Sequence, residues 1–450
     1  MTTATIKEPN HFLEHFAEFE KRHDATASPA LRRLRNAAIA RFAELGFPTD
    51  RDEDWKFTSL AALRKSPFQL PPADSAEAVE GFRKLTHGAA RGASLLCMNG
   101  NLPFLLAGSQ PLPKGVMVCS LAEALRDHAD LVEPYLGNYA DYKRHPFVAL
   151  NTAFLNDGAV VYVPANTVVP DPIFLTFGVS ASNDRGPNIW HRRTLIVLES
   201  GSQATVVERY VGLPSLYFTN GTAEVVLADN AQLDHYKLQQ EGAGAYHLGT
   251  TQVRQQRSSR FSSHFVSLGG NLVRNEVGVF LDGEGCETTL NGLYMASGTQ
   301  HIDNRTTIDH AKPHCASHEL YKGILDGKAH GVFNGKIYVH QDAQKTDAKQ
   351  TNQTLLLSDD AVINTKPQLE IFADDVKCTH GATVGQLDDK AIFYLRSRGI
   401  DAEAARSLLT FAFANDIIGR IKVASIRAEL EKQLLVARRL PEDPHIEETI

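Results

Sequence analysis

Cysteine is sparse in this chain and never paired: the five, Cys97, Cys119, Cys286, Cys315 and Cys378, are scattered, odd in number and form no Cys-x-x-Cys. That excludes a disulfide framework and a zinc knuckle, and leaves most of them as small buried hydrophobes. There is no block of Lys or Arg, and the net charge is −7, so nucleic acid is not an expected partner. No run of about 18 apolar residues occurs, and the segment 1–9 has no apolar core of signal-peptide length. A cytoplasmic protein with no membrane partner is therefore expected. The phosphate-loop pattern is also missing. Its nearest approach, Gly331-Val-Phe-Asn-Gly335-Lys336-Ile337, has three residues between the glycines and an isoleucine where a hydroxyl would hold magnesium, so Asn334-Gly335 reads as a turn. Gly-x-Ser-x-Gly is absent too, and the adjacent carboxylates Asp359-Asp360 and Asp374-Asp375 point to opposite faces of a strand, which argues against an acid/base pair.

What is present changes period along the chain. Phe12, Phe16 and Phe19 recur at helical spacing, and Ser28-Pro29 starts a second helix carrying Leu31, Leu34, Ala38, Phe42 and Leu45 that stops at Gly46. A mixed stretch follows to position 150, with a strand at 95–98 entering an Asn99-Gly100 turn and a short helix over 122–128. Residues 1–150 thus form an N-terminal helical and mixed α/β region. Over 151–385 the helical period vanishes, and short β-branched segments recur between turns near Gly201, Asn230 and Gly285. That recurrence, close to 25 to 30 residues, favours the turns of a β-helix, although a two-sheet sandwich gives nearly the same pattern. Helical period returns over 386–440. A short helix capped at Asp388 or Asp389 ends at Gly399, and a longer one capped by Asp401 carries Leu409, Phe413, Ile417 and Ile421 on one stripe, with Leu408, Phe411 and Ile418 off it. An acidic tail, 441–450, closes the chain.

Two groups of residues invite chemistry. His301, His310, His314, Cys315 and His318 are the densest set of ligand-type side chains, with stacked polar positions of successive turns as the competing reading. Cys378 and His380 lie two apart where strand gives way to helix, so on a strand they share one face and could address one soft metal or sulfur species. Two ligands do not complete a zinc or iron–sulfur site, and the rest would come from elsewhere, such as a second chain.

Several stretches together resemble the SufB/SufD family of iron–sulfur cluster assembly proteins. They are 52–58 (Asp-Glu-Asp-Trp-Lys-Phe-Thr), 147–154 (Phe-Val-Ala-Leu-Asn-Thr-Ala-Phe), 343–357 (Ala-Gln-Lys-Thr-Asp-Ala-Lys-Gln-Thr-Asn-Gln-Thr-Leu-Leu-Leu), 374–385 and 393–400. Within the family the SufD branch is the nearer. Gly381 follows His380 where SufB-like chains carry Glu, and no Asn-Cys-Gly-Ala-His segment occurs. The resemblance implies a mainly β fold with a central right-handed parallel β-helix between N-terminal helical and C-terminal helical regions. It also implies a non-catalytic scaffold subunit that pairs with a SufB-like chain and docks a SufC-like ABC ATPase on its C-terminal helices; whether the isolated chain is a homodimer is left open by the sequence. Leu409, Phe411, Phe413, Ile417 and Ile418 fall to the ATPase contact. His380, with Cys378 second, falls to a transient iron–sulfur cluster shared with SufB, and no nucleotide to this chain. Two other classes remain open: a β-helical polysaccharide lyase or hydrolase, and a self-associating structural solenoid.

Overall fold

The computed structural model describes residues 11–23, 27–70, 92–98, 102–106, 111–156, 158–179 and 186–437. The Asn99-Gly100 turn and the acidic tail expected at 441–450 lie outside them. Helix His11–His23 buries Phe12, Phe16 and Phe19. The next, Pro29–Leu45, starts as the sequence indicates: Ser28 Oγ accepts from the Leu31 amide, proline fills the first turn, and Gly46 ends it at φ 66°. Its buried face is turned slightly from the predicted stripe: Leu31, Ala38 and Phe42 are buried, Leu34 and Leu45 only half-buried, and Ile39 and Arg35 join the face, Arg35 Nε donating to the Leu155 carbonyl at 2.7 Å. A guanidinium is tolerated there because it also lies over the Phe19 ring, 5.1 Å from its centroid. The short helix is Leu121–Asp127.

The centre is a flattened parallel solenoid. Each turn gives one strand to each of two sheets, so strands pair with the next but one in sequence. From Gly158–Val163 and Ile173–Val179 onward every pairing within a sheet is parallel. A sandwich of hairpins would pair antiparallel, so this register separates the two readings that the sequence left open. Ser94–Met98 joins one sheet and Met117–Ser120 the other, so both sheets begin inside the N-terminal region.

The period is set at one corner. Gly201, Asn230, Ser258, Gly285, His314 and Lys345 all have φ between 57° and 71°, the left-handed conformation that turns a strand sharply. The residue after each, Ser202, Ala231, Ser259, Cys286, Cys315 and Thr346, is buried, so these six form a column of small side chains up the inside of the solenoid. A second stacking device sits further along the same strands. Gly292 is in register with Tyr321, and Tyr294 with Gly323. Each ring covers the glycine of the neighbouring turn, where an added Cβ would lie 2.2 Å from Tyr321 or 2.3 Å from Tyr294.

The C-terminal helices Ala402–Ile418 and Ala424–Ala437 lie on one sheet. Ala414, Ile417, Ile418, Ile421, Ile426 and Leu430 pack with Val207, Tyr236, Leu238, Val266, Leu293 and Ile324. Among the described residues no helix is long and apolar enough to cross a membrane.

Candidate functional site

The two sheets end together. Val362–Ile371 is the last strand of one and Lys377–Gly385 of the other, and each is bonded on one edge only. No element of the described residues covers this end, and Val362, Ile371, Phe372 and Val384 are exposed, Phe372 to 56%. A strand edge with free amides and carbonyls, flanked by exposed apolar side chains, is a template for pairing with another chain.

Cys378 and His380 are both on the final strand, as expected. In register, Ala348 stands beside Cys378 and Gln350 beside His380. Ala348 and Gln350 are buried inside the solenoid, so the thiol and imidazole positions continue interior columns out to the open end. Cys378 is half-buried and packs against Ile337, Val339, Ala343 and Ala348. Burial pushes its thiol up, and the Asp347 carboxylate beside it adds to the effect. His380 is exposed. Gly381 is not imposed by crowding, because a Cβ there would meet nothing within 4 Å. Among the described residues no three His, Cys, Asp or Glu converge as a metal site. Any ion held at this end would need ligands from outside the chain.

Below His380 the interior is polar. Gln350 Nε2 donates to Glu319 Oε2 at 2.8 Å, and Glu319 is fully enclosed, its carboxyl pushed up to about 7 by loss of solvent. Periodicity had no way to flag Glu319, which reads in sequence as one more polar strand residue. The histidine-rich set does not converge: His301 lies against Thr58 and His330, His310 is bonded to Ser317, and His318 is exposed. Only His314 and Cys315 are adjacent, at the corner. The stacked-turn reading is the one that describes them.

Ile417 and Ile418, expected at a partner contact, are fully buried against this chain's own sheet. Phe411 and Phe413 are half-buried against the same cluster, and the Lys322 ammonium lies over the Phe413 ring. Leu409 is half-buried as well. The surplus apolar surface of this helix is thus spent largely inside the molecule, because a helix lying flat on a sheet buries more than one stripe. The exposed apolar surface lies on the preceding helix, Asp389–Ser397, which buries no residue and shows Phe393 at 72% and Tyr394 at 57% exposure. The sequence carried that signal as an aromatic pair on a short helix with no facing stripe.

The other distinctive stretches are structural. Trp55 lies 3.6 Å from the Arg274 guanidinium, Asp54 pairs with Arg305 at 3.1 Å, and Thr58 donates to Asp303 at 2.7 Å, which ties 52–58 to the sheet. Helix Pro146–Ala153 is buried, with Asn151 Nδ2 donating to the carbonyls of Arg192 and Asn220 at 2.8 and 2.9 Å. Arg193 and Glu224 form a fully buried ion pair whose carboxylate also accepts from the amides of Gly137, Tyr139 and Ala140. A cavity of about 1010 Å³ opens beside Trp55 and is lined by charged groups of both signs, among them Arg274 paired with Glu276 and Lys336 with Glu370.

The described residues thus form a parallel solenoid with helices on one sheet, an uncovered end, and a thiol and an imidazole on its last strand. Comparison with known proteins identifies the family. Residues 179–413 match the SufBD core domain of the SUF system for FeS cluster assembly, and residues 6–175 match the SufBD protein N-terminal region. An iron–sulfur cluster assembly SufBD family protein of Synechocystis is 34% identical over 96% of this chain and 98% of its own length. The iron–sulfur cluster assembly protein SufD of Escherichia coli is 32% identical over 88% of this chain and 90% of its own, and that of Bacillus subtilis 28% over 93% and 95%. The chain belongs to the SufB/SufD family of iron–sulfur cluster assembly proteins.

Proposed function

We propose that this chain is a SufD-type scaffold subunit, without catalysis of its own, in a cytoplasmic complex that builds iron–sulfur clusters. The uncovered solenoid end carries the reading. It offers two strand edges to a SufB-like solenoid and sets Cys378 and His380 at the seam. Two protein ligands on one side leave the remaining positions of an iron or cluster to the neighbour, which suits cargo that must later be released. His380, being exposed, reaches the cargo first; Cys378 is partly recessed and its thiol resists ionisation, which makes it the weaker ligand.

The SufC-like ATPase docks on helix Asp389–Ser397 through Phe393 and Tyr394, with Leu408 at the margin. Leu409, Phe411 and Phe413, half-buried on the neighbouring helix, extend that contact. ATP favours the paired form of two ATPase subunits, and the differential binding energy between paired and separate forms is what can distort the solenoid seam. Co-expression with SufB-like and SufC-like partners tests the assignment. A stable complex is expected with the native chain, whereas Phe393→Ser with Tyr394→Ser releases the ATPase and retains the SufB-like chain. An isolated chain that only dimerises and retains neither partner refutes the proposal.

A further inference from the structure

The buried column of small side chains at the solenoid corner contains two cysteines on successive turns. Cys286 and Cys315 stand directly one above the other, each immediately after a residue in the left-handed conformation, and the amide following Cys315 donates to the Cys286 carbonyl at 2.9 Å. Adjacent parallel strands run about 4.8 Å apart, inside the roughly 4.4 to 6.8 Å range of Cα separations that disulfides span. Both sulfurs also converge on one oxygen: Cys286 Sγ is 3.1 Å and Cys315 Sγ 3.2 Å from the carbonyl of Gly283. Neither thiol is used by the site at the open end, and both are free.

We propose that Cys286 and Cys315 are a redox-active dithiol that peroxide converts to a disulfide joining two turns of the solenoid. Cys286 is the attacking group. Its thiol is held below its ordinary value by the hydrogen bond from Cys315, helped by Ser259 against the opposing effect of burial, while Cys315 is pushed up by that same hydrogen bond and by burial, and further by having to ionise beside Cys286. The Cys286 thiolate attacks one peroxide oxygen, the O–O bond breaks, and hydroxide leaves, giving a sulfenic acid. The Cys315 thiol, its proton passing to that hydroxide, then attacks the sulfenic sulfur; the S–O bond breaks, and the departing hydroxyl takes up a proton as water. Two thiols are oxidised by two electrons, and one peroxide becomes two waters. Both thiols are buried, but Glu284 and His314, just before them at the corners of the same two turns, are exposed, so the pair sits close beneath the surface.

The test uses the full chain, reduced and then treated with hydrogen peroxide near neutral pH, blocked with a maleimide and digested with trypsin without reductant. Cleavage after Arg274, Arg305 and Lys322 leaves one cysteine in each of two peptides, 275–305 and 306–322. The expected product is these two peptides linked, two hydrogens lighter than their sum, appearing together with a rise in melting temperature that dithiothreitol reverses. In Cys315→Ser the sulfenic acid at Cys286 persists and is captured by dimedone; in Cys286→Ser no link forms. Oxidation confined to Cys378, or loss of the free thiols without the linked peptide in the native chain, overturns the proposal.

Discussion

Replacing Glu319 by Gln should stabilise the protein in a strongly pH-dependent way. Glu319 is enclosed between turns, accepts hydrogen bonds from Gln350 and Thr306 and faces no cation. Loss of solvent is the first cause of its upward displacement, from 4.5 to about 7, partly opposed by hydrogen bonds from Thr306 and Gln350. Between those two pH values the folded chain keeps a proton that the unfolded chain has released, so stability falls as pH rises through the window and is flat above it. At about 1.4 kcal/mol per pH unit, the penalty for ionising the carboxyl, or for holding its proton, reaches roughly 3 kcal/mol above pH 7. Glutamine presents a carbonyl to the same Gln350 amide and never ionises. Glu319→Gln should therefore match the parent near pH 4 and exceed it by about 3 kcal/mol at pH 8. Denaturant unfolding followed by the fluorescence of Trp55 and Trp190 measures this. A stability difference that stays the same at both pH values would refute the reasoning.

Other consequences follow from particular contacts. Glu224→Ala strands the buried Arg193 guanidinium and three backbone amides, and should cost about 3 to 5 kcal/mol in the same unfolding assay, with Arg193→Met in the same chain recovering part of the loss. Gly292→Ala puts a methyl group 2.2 Å from the Tyr321 ring and should lower stability by about 1 to 3 kcal/mol, less when Tyr321 is also reduced to Leu. Phe393→Ser and Tyr394→Ser, on a helix that buries nothing, should change the unfolding free energy by no more than about 0.5 kcal/mol, so that lost ATPase binding in pull-downs cannot be ascribed to unfolding.

The fold was legible where local chemistry repeats. Ser28, Gly46 and Asp401 cap helices because capping is decided within a few residues, and Gly201, Asn230 and Gly285 marked the period because each occupies the same left-handed corner. Cys378 and His380 could be placed on one strand from their spacing alone. The destination of a helix face could not. Ile417 and Ile418 look like surplus apolar surface until the sheet beneath them is known, whereas Phe393 and Tyr394 are on a helix too short to show its exposed side by periodicity. The partners of Arg193, Glu319 and the Cys286–Cys315 pair were equally hidden, since neighbouring turns bring together residues about 30 apart and only the pairing register says which meet.

On the proposed function, the open end of this solenoid holds nascent cluster through His380. Iron and acid-labile sulfide in the anaerobically purified complex with SufB-like and SufC-like partners measure it most directly. His380→Ala should leave the subunit ratio unchanged and reduce both iron and sulfide several-fold, with Cys378→Ser giving a smaller loss. Undiminished iron and sulfide in an intact His380→Ala complex would contradict the account.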